Sequence, residues 1–222
     1  MMPMGQYDIG QYVNALLVEI GFVDAGELNQ EDVREIILHT IGGNPRSIKR
    51  LVNSVSLIQI FTETKSEESE TKNLGEKENR VGQEQFLLFS LLCLQIAYPQ
   101  IYSLLNKEPN FPSWDETFAF QETDKSEETE KELFDRDFKL AKQSEDCDED
   151  WEQALFRVCY VRPRLKLRFR DISKFLSKIK DDIFSKNLDN MGEVLSEILT
   201  QTSVTSVITN NSEQQGHPKG RK

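Results

Sequence analysis

Apolar residues recur every three or four positions along the first sixty residues, which is the spacing of one face of an α-helix. The first stripe consists of Ile9, Tyr12, Val13, Leu16, Leu17 and Ile20. Asp8 is placed to cap this helix and Gly21 to end it. A second stripe follows Asn29 and a third follows Asn44. The pattern therefore predicts a bundle of three short helices, joined by tight turns, in residues 1–61.

The apolar pattern stops between residues 62 and 80, where Ser, Glu and Lys predominate. Such a composition cannot bury a core, so it predicts a flexible linker and a boundary between two modules. The second module is predicted over residues 81–200. It begins with a helix from about Gln83 to Tyr98 whose apolar residues cover nearly the whole circumference, so we expect this helix in the middle of that module. Pro99 should kink or end it.

The rest of the second module has helical spacing as well. This spacing predicts helices over residues 171–184 and 188–200. An acidic stretch at 122–152 is interpreted as an insert in the module. Residues 201–222, rich in Ser, Thr, Asn and Gln, predict a disordered tail. The whole pattern predicts an all-α protein.

The composition narrows the class of protein. The chain has 222 residues, 37% of them hydrophobic, and a net charge of −11, which argues against general coating of nucleic acid and against anionic membrane surfaces. Its longest apolar run is too short to span a bilayer, and no secretory signal is visible. Cys93, Cys147 and Cys159 lack metal-site spacing, and their odd number suits reduced thiols. We therefore expect a cytoplasmic protein without a metal.

Two neighbouring blocks carry opposite charge. Residues 122–152 hold fourteen carboxylates and five bases, and residues 157–180 hold nine bases and one carboxylate. Such blocks often neutralise each other across a fold, and we favour that interpretation. The alternative is a nucleic-acid surface. Its residues would be Arg162, Arg164, Lys166, Arg168 and Arg170.

One stretch has the character of a sharp turn that leads into a helix: Gly42-Gly43-Asn44-Pro45-Arg46-Ser47-Ile48-Lys49-Arg50-Leu51-Val52-Asn53. The glycines permit unusual backbone angles, and Asn44 and Pro45 are favoured at the N-cap and the first helical position. Arg46 then falls in the first turn, where a cation is unfavourable unless it serves an anion. The apolar residues of this helix turn inward, which leaves Lys49 and Arg50 off the buried stripe.

This stretch resembles the lid of AAA+-like P-loop ATPases, where Gly-x-Pro-Arg opens a lid helix whose arginine senses the γ-phosphate. With its Lys-Arg-Leu-x-Asn continuation it is most similar to the KAP family of bacterial P-loop NTPases. The resemblance is close over residues 5–60 and loose at 97–102 and 168–173. It implies that Arg46 is the phosphate sensor. The flanking residues would be Asn44, Lys49 and Arg50.

The parts of such an ATPase that hold the nucleotide are missing from this sequence. It contains no Gly-x-x-x-x-Gly-Lys-Ser/Thr loop to cradle phosphates, and no apolar strand ending in acidic residues precedes the lid to hold magnesium. In the family these parts lie upstream, so the resemblance implies a truncated member. ATP and magnesium would belong to a core supplied elsewhere. We expect the chain alone to bind no cofactor and to hydrolyse no ATP.

Two hypotheses of function follow. In the first, the chain is the regulatory lid and helical portion of a KAP-like ATPase, and its partner is the ATPase core. In the second, it is a non-catalytic helical interaction module, and its charged blocks recruit a protein partner or nucleic acid.

Overall fold

The structure is a computed structural model that describes residues 8–24, 28–66, 77–123, 131–143, 147–184 and 190–214. Within these ranges all regular secondary structure is helical, which confirms the predicted all-α class. The chain divides into two compact units. Unit 1 comprises Met1–Pro99 and Ser196–Lys222, and unit 2 comprises Gln100–Leu195.

Unit 1 contains the first four described α-helices of the chain and most of the last one. They are α1 (Ile9–Glu19), α2 (Gln30–His39), α3 (Pro45–Ser66), α4 (Lys77–Ala97) and, from Ser196 onward, α11 (Met191–Gln214). The Asp8 carboxylate caps α1 by accepting hydrogen bonds from the N–H groups of Gly10 and Gln11. Asn29 caps α2 by accepting from the N–H of Glu31. These bonds confirm the predicted starts of both helices.

The helix α4, whose second half is strongly apolar, belongs to unit 1. The nine consecutive residues from Phe86 to Leu94 are all buried, and the helix packs against α2 and α3. A helix that is apolar on every side needs partners on every side, and the first three helices help to supply them. The structure thus groups α4 with the predicted lid helices, whereas the sequence pattern placed it beyond a boundary at residues 62–80.

The predicted linker is partly helical. Because α3 ends at Ser66 and α4 begins at Lys77, residues 62–66 and 77–80 have helical backbone. Residues 67–76 lie outside the described ranges, and a flexible linker there stays a prediction.

The predicted disordered tail also differs from the structure, because α11 continues to Gln214. Thr202 is fully buried, and its hydroxyl donates to the carbonyl of Leu199 at 3.0 Å. The side-chain amide of Gln95 on α4 lies 3.5 Å from the carbonyl oxygen of Thr202. The prediction of disorder was wrong because it took the polar composition as a sign of solvent exposure. Threonine can continue the buried stripe of a helix when its hydroxyl donates a hydrogen bond to a carbonyl of the same helix. Residues 215–222 lie outside the described part.

Unit 1 is held together at the end of α1. Gly21 has a left-handed φ of 74°, which ends the helix as predicted. The side-chain amide of Gln59 on α3 donates to the Gly21 carbonyl at 2.8 Å, and that of Gln85 on α4 donates to the Phe22 carbonyl at 2.9 Å. These two bonds satisfy backbone carbonyls of the turn that follows α1.

Unit 2 contains the remaining described helices. They are α5 (Pro99–Lys107), which begins one residue before the unit boundary, α6 (Glu116–Glu122), α7 (Lys131–Gln143), α8 (Asp150–Tyr160), α9 (Pro163–Lys166), α10 (Phe169–Lys178) and the first turns of α11. A π-helical turn, Ile179–Ile183, follows α10. Pro99 separates α5 from α4, as predicted.

Aromatic side chains form the core of unit 2. The ring of Phe111 packs edge-on against Trp151, with centroids 5.2 Å apart, and Trp114 stacks on Phe118 at 4.9 Å. Both tryptophans are 1% exposed. The indole N–H of Trp114 donates to the carbonyl of Glu108 at 3.0 Å, so its polar atom is satisfied. The tryptophans thus anchor the packing of unit 2.

The acidic stretch 122–152 takes part in this core through α7. Phe134 and Phe138, one turn apart, both lie against Phe156 of α8, with ring centroids 5.8 and 5.4 Å away. The insert predicted from its charge therefore includes an amphipathic helix that packs on α8.

Gly10 is the point of close contact between α1 and α2, and we expect Gly10→Ala to destabilise unit 1. An added β-carbon would lie 2.6 Å from the Gln30 carbonyl oxygen and 2.7 Å from the β-carbon of Arg34. The overlap should lower the free energy of unfolding by about 1–3 kcal/mol, despite the higher helix propensity of alanine. Urea unfolding followed by circular dichroism measures the change.

Gly43→Ala is the matched control, because an added β-carbon at Gly43 would meet no atom within 4 Å. Equal stability of the two alanine variants would contradict the close packing of α1 on α2.

Candidate functional site

The candidate site is the start of α3 and the turn before it. Gly42 has a left-handed φ of 59°, and its N–H donates to the carbonyl of Ile37 at 2.7 Å, which closes the end of α2. Asn44 caps α3, because its side-chain oxygen accepts a hydrogen bond of 3.0 Å from the N–H of Arg46. Pro45 is the first helical residue. The predicted cap and helix start are confirmed.

α3 presents a polar stripe to solvent and an apolar stripe to the interior of unit 1. The exposed stripe, at the spacing of one helix face, consists of Arg46, Lys49, Arg50 and Asn53. The buried stripe consists of Ile48, Leu51, Val55 and Ile58. The helix packs against α1 and α4. The structure therefore brings the three predicted cations together on one exposed face, and the buried stripe fixes where that face points.

The charge on this face has no counterpart within the described part of the chain. No carboxylate there pairs with Arg46, Lys49 or Arg50, and the first turn of α3 has no acidic residue. Cations at the positive end of a helix dipole are unfavourable, so this face is suited to an anion from outside. A guanidinium can bind two oxygens of a phosphate or carboxylate at once, which makes Arg46 the strongest candidate ligand.

The five basic residues considered for nucleic-acid contact lie around α9 and the start of α10. They are Arg162, Arg164, Lys166, Arg168 and Arg170. Arg164 is exposed and has no partner among the described residues. Arg170 is exposed and has an intramolecular contact. The structure thus places all five in one region of unit 2.

Besides Arg170, three of the five have contacts within the chain that can be described in detail. Arg162 donates to two backbone carbonyl oxygens at 2.8 and 3.1 Å. Lys166 lies 3.1 Å from an Asp137 carboxylate oxygen, and Arg168 lies 3.1 Å from one of Asp171. Because these groups are engaged, they offer less charge to a phosphate backbone than their number in the sequence indicates.

Among the described residues, the acidic and the basic blocks are joined by ion pairs. Lys166 binds Asp137, and Lys180 binds Glu149. The hydrogen bond from Lys166 holds the pKa of Asp137 below its ordinary value, and the bond from Lys180 does the same to the pKa of Glu149. The Tyr160 hydroxyl also lies 3.2 Å from Asp137. The blocks are thus partly neutralised by each other.

The thiols are not candidate nucleophiles. Cys93, Cys147 and Cys159 are all buried, and none of them forms a disulfide. Burial raises the pKa of Cys159 to about 12 and raises that of Cys93 still further. A thiol that stays protonated and out of reach of solvent is unreactive.

Arg157 on α8 is a feature that the sequence analysis missed. Its guanidinium carbon lies 4.3 Å from the ring centroid of Phe120 and 4.6 Å from that of Phe134, and it pairs with Glu116 at 2.9 Å. A cavity of about 360 Å³ opens beside it. The one signal in the sequence was the pair of phenylalanines four residues apart in the acidic stretch, which indicated a buried helix face there.

Comparisons with protein-family models, with curated proteins and with solved structures found no match for this chain. Among the described residues, no group of three His, Cys, Asp or Glu side chains could hold a metal ion. None of the described helices is long and apolar enough to cross a membrane. What the chain does must therefore be inferred from its own residues.

Arg46→Glu should stabilise unit 1 if its positive charge is unfavourable in the folded chain. A carboxylate at this place meets the positive end of the α3 dipole, so the free energy of unfolding should rise by about 0.3–1 kcal/mol at low salt. The gain should shrink in high salt because exposed charges are screened. Urea unfolding at two salt concentrations measures it.

Arg50→Glu is the control, since Arg50 lies on the same exposed stripe but beyond the first turn, where the dipole is weak. A loss of stability in Arg46→Glu would reveal that Arg46 has a favourable role in the fold itself.

Lys166→Gln should destabilise unit 2 at neutral pH and not in acid. The pairing keeps the Asp137 pKa lowered, so its stabilisation is complete above the ordinary aspartate pKa of about 3.9. It is lost as the pH falls from there through the pKa of the folded protein. The unfolding free energies of the variant and the wild type should therefore converge below about pH 4. Arg164→Gln, which removes an unpaired cation, should show no such convergence.

Proposed function

We propose that this chain is the non-catalytic lid and helical portion of a KAP-like P-loop ATPase. Arg46 would contact the phosphates of a nucleotide bound by a core on another polypeptide. The observation that carries this proposal is the row of three cations, Arg46, Lys49 and Arg50, which are exposed at a capped helix start and have no carboxylate partner among the described residues.

The turn before α3 supports a sensor role because it leaves little freedom at Arg46. The Asn44 cap and the residue Pro45 fix the first turn, and Ile48 and Leu51, 6% and 0% exposed, hold it against the unit. A phosphate that binds Arg46 would therefore shift the whole helix α3 and not the Arg46 side chain alone. Its movement would carry α1 and α2 with it, which is how nucleotide state would reach the rest of unit 1.

In this proposal the hydrolysis of ATP takes place on the ATPase core, which is a separate polypeptide. The sequence of this chain contains no loop that wraps the phosphates and no segment of the kind that holds magnesium in these enzymes. The role of this chain is then regulatory: Arg46 adds charge stabilisation to a site that another chain builds.

Titration with Mg–ATP tests this proposal on the whole chain. We expect no turnover of ATP and only weak binding, with a dissociation constant on the order of 1 mM, because one exposed cationic face supplies all the contacts. In NMR spectra, the resonances of Arg46, Lys49 and Arg50 should shift most. Inorganic triphosphate should produce the same shifts, and AMP should produce smaller ones.

Arg46→Ala should remove most of this response and leave the melting temperature unchanged or slightly higher. Arg164→Ala is the matched control, because Arg164 is also exposed and unpaired among the described residues. Equal titration curves for wild type and Arg46→Ala would exclude Arg46 as the phosphate ligand. Turnover that survives Arg46→Ala would contradict the non-catalytic role.

A further inference from the structure

Three exposed leucines lie around one ion pair in unit 2. On α7, Leu133, Asp137 and Leu140 share one stripe, since they are spaced at i, i+4 and i+7. Leu133 is 48% exposed and Leu140 is 57% exposed. Asp137 binds Lys166, and the next residue, Leu167, is 86% exposed. Leu133, Leu140 and Leu167 are called the leucine surface below.

The backbone that carries these leucines is fixed. α7 packs on α8 through tilted contacts of Phe134 and Phe138 with Phe156, and Asp137 is held by both Lys166 and Tyr160. The turn at Leu167 is closed by a 2.8 Å bond from the N–H of Arg168 to the carbonyl of Leu165. The exposure of Leu167 therefore belongs to an ordered turn. Apolar side chains that cluster on an ordered surface are typical of interaction sites.

Basic side chains border the leucine surface on both sides. The set consists of Arg136 and Lys139 on α7 and Arg164, Lys166 and Arg168 around α9. Arg136 and Lys166 are paired with Asp137, and Arg168 with Asp171, so Lys139 and Arg164 are the rim cations without a carboxylate partner among the described residues. The five bases outnumber Glu132, Asp137 and Asp171, so the rim keeps a small positive charge, although the chain as a whole carries a charge of −11.

We propose that the leucine surface and its basic rim bind an acidic amphipathic helix of a partner protein. Leucines at i and i+7 fit an apolar helix stripe of the same spacing, and the rim matches carboxylates on either side of that stripe. Three leucines make a small interface, so the complex is transient, with a dissociation constant on the order of micromolar. This proposal does not depend on the function proposed for Arg46.

Nucleic acid is a poorer match for the same surface. Leucine side chains gain nothing from phosphates, and only Lys139 and Arg164 of the rim lack a carboxylate partner among the described residues, which is little charge for a phosphate backbone. A helix with carboxylates instead uses both the leucines and the rim.

A fluorescent synthetic peptide of about 18 residues, which is about five helical turns, is the probe. It carries leucines at helical spacing, flanked by glutamates. Fluorescence anisotropy with the full chain should show saturable binding. The double variant Leu133→Ala, Leu140→Ala and the single variant Leu167→Ser should each lower the affinity about tenfold or more. Their melting temperatures should match the wild type, because the side chains are exposed.

Leu38→Ser on α2 is the matched control, since Leu38 is 51% exposed and lies in unit 1. It should bind the peptide like wild type. A second peptide, with serine in place of leucine, should bind at least about tenfold more weakly.

Four results would overturn the proposal. The first is no binding at peptide concentrations up to about 1 mM, and the second is equal affinity for the serine peptide. The third is oligonucleotide binding that is tighter than peptide binding and insensitive to the leucine variants. The fourth is self-association of the chain that the leucine variants abolish. The third result would show that the chain prefers nucleic acid and binds it without the leucines, and the fourth would assign the leucine surface to a second copy of this chain.

Discussion

Unit 1 depends on the burial of α4 over its whole circumference. Nine consecutive residues, Phe86 to Leu94, are out of contact with water, so the helix is stable only where neighbours cover every side. α2 and α3 pack on it, Gln85 ties it to the end of α1, and the Tyr98 hydroxyl that follows it donates to the His39 carbonyl at 3.1 Å. The exposed cations of α3 keep their direction because the opposite face of α3 is held in this packing.

The starts of helices could be predicted from sequence because caps act locally. Asp8, Asn29 and Asn44 each accept a bond from an N–H two residues further on, and no distant residue is needed. The unit to which α4 belongs and the length of α11 could not be predicted in the same way. A run of apolar residues shows that a helix is buried but not by what, and the burial of Thr202 depends on tertiary packing.

In the candidate site, too, local features could be predicted from the sequence and tertiary contacts could not. The exposure of Arg46, Lys49 and Arg50 follows from their spacing against the buried residues of one helix. The opposite charges of the two blocks predicted that the blocks attract each other. They did not predict that Lys166 pairs with Asp137, which lies 29 residues earlier in the chain. Likewise, the aromatic rings around Arg157 come from separate helices. Partners chosen by packing lie beyond what charge counts and periodicity can indicate.

The buried thiols make it possible to follow local unfolding of each unit by the rate at which each cysteine is alkylated. Cys93 lies in unit 1, and Cys147 and Cys159 lie in unit 2. A thiol can be alkylated only as an exposed thiolate, so each cysteine reacts only after the structure around it has come apart. The rates of labelling at residues 93 and 159 would thus tell whether the two units unfold in one cooperative step or separately, without any foreign dye or added mutation.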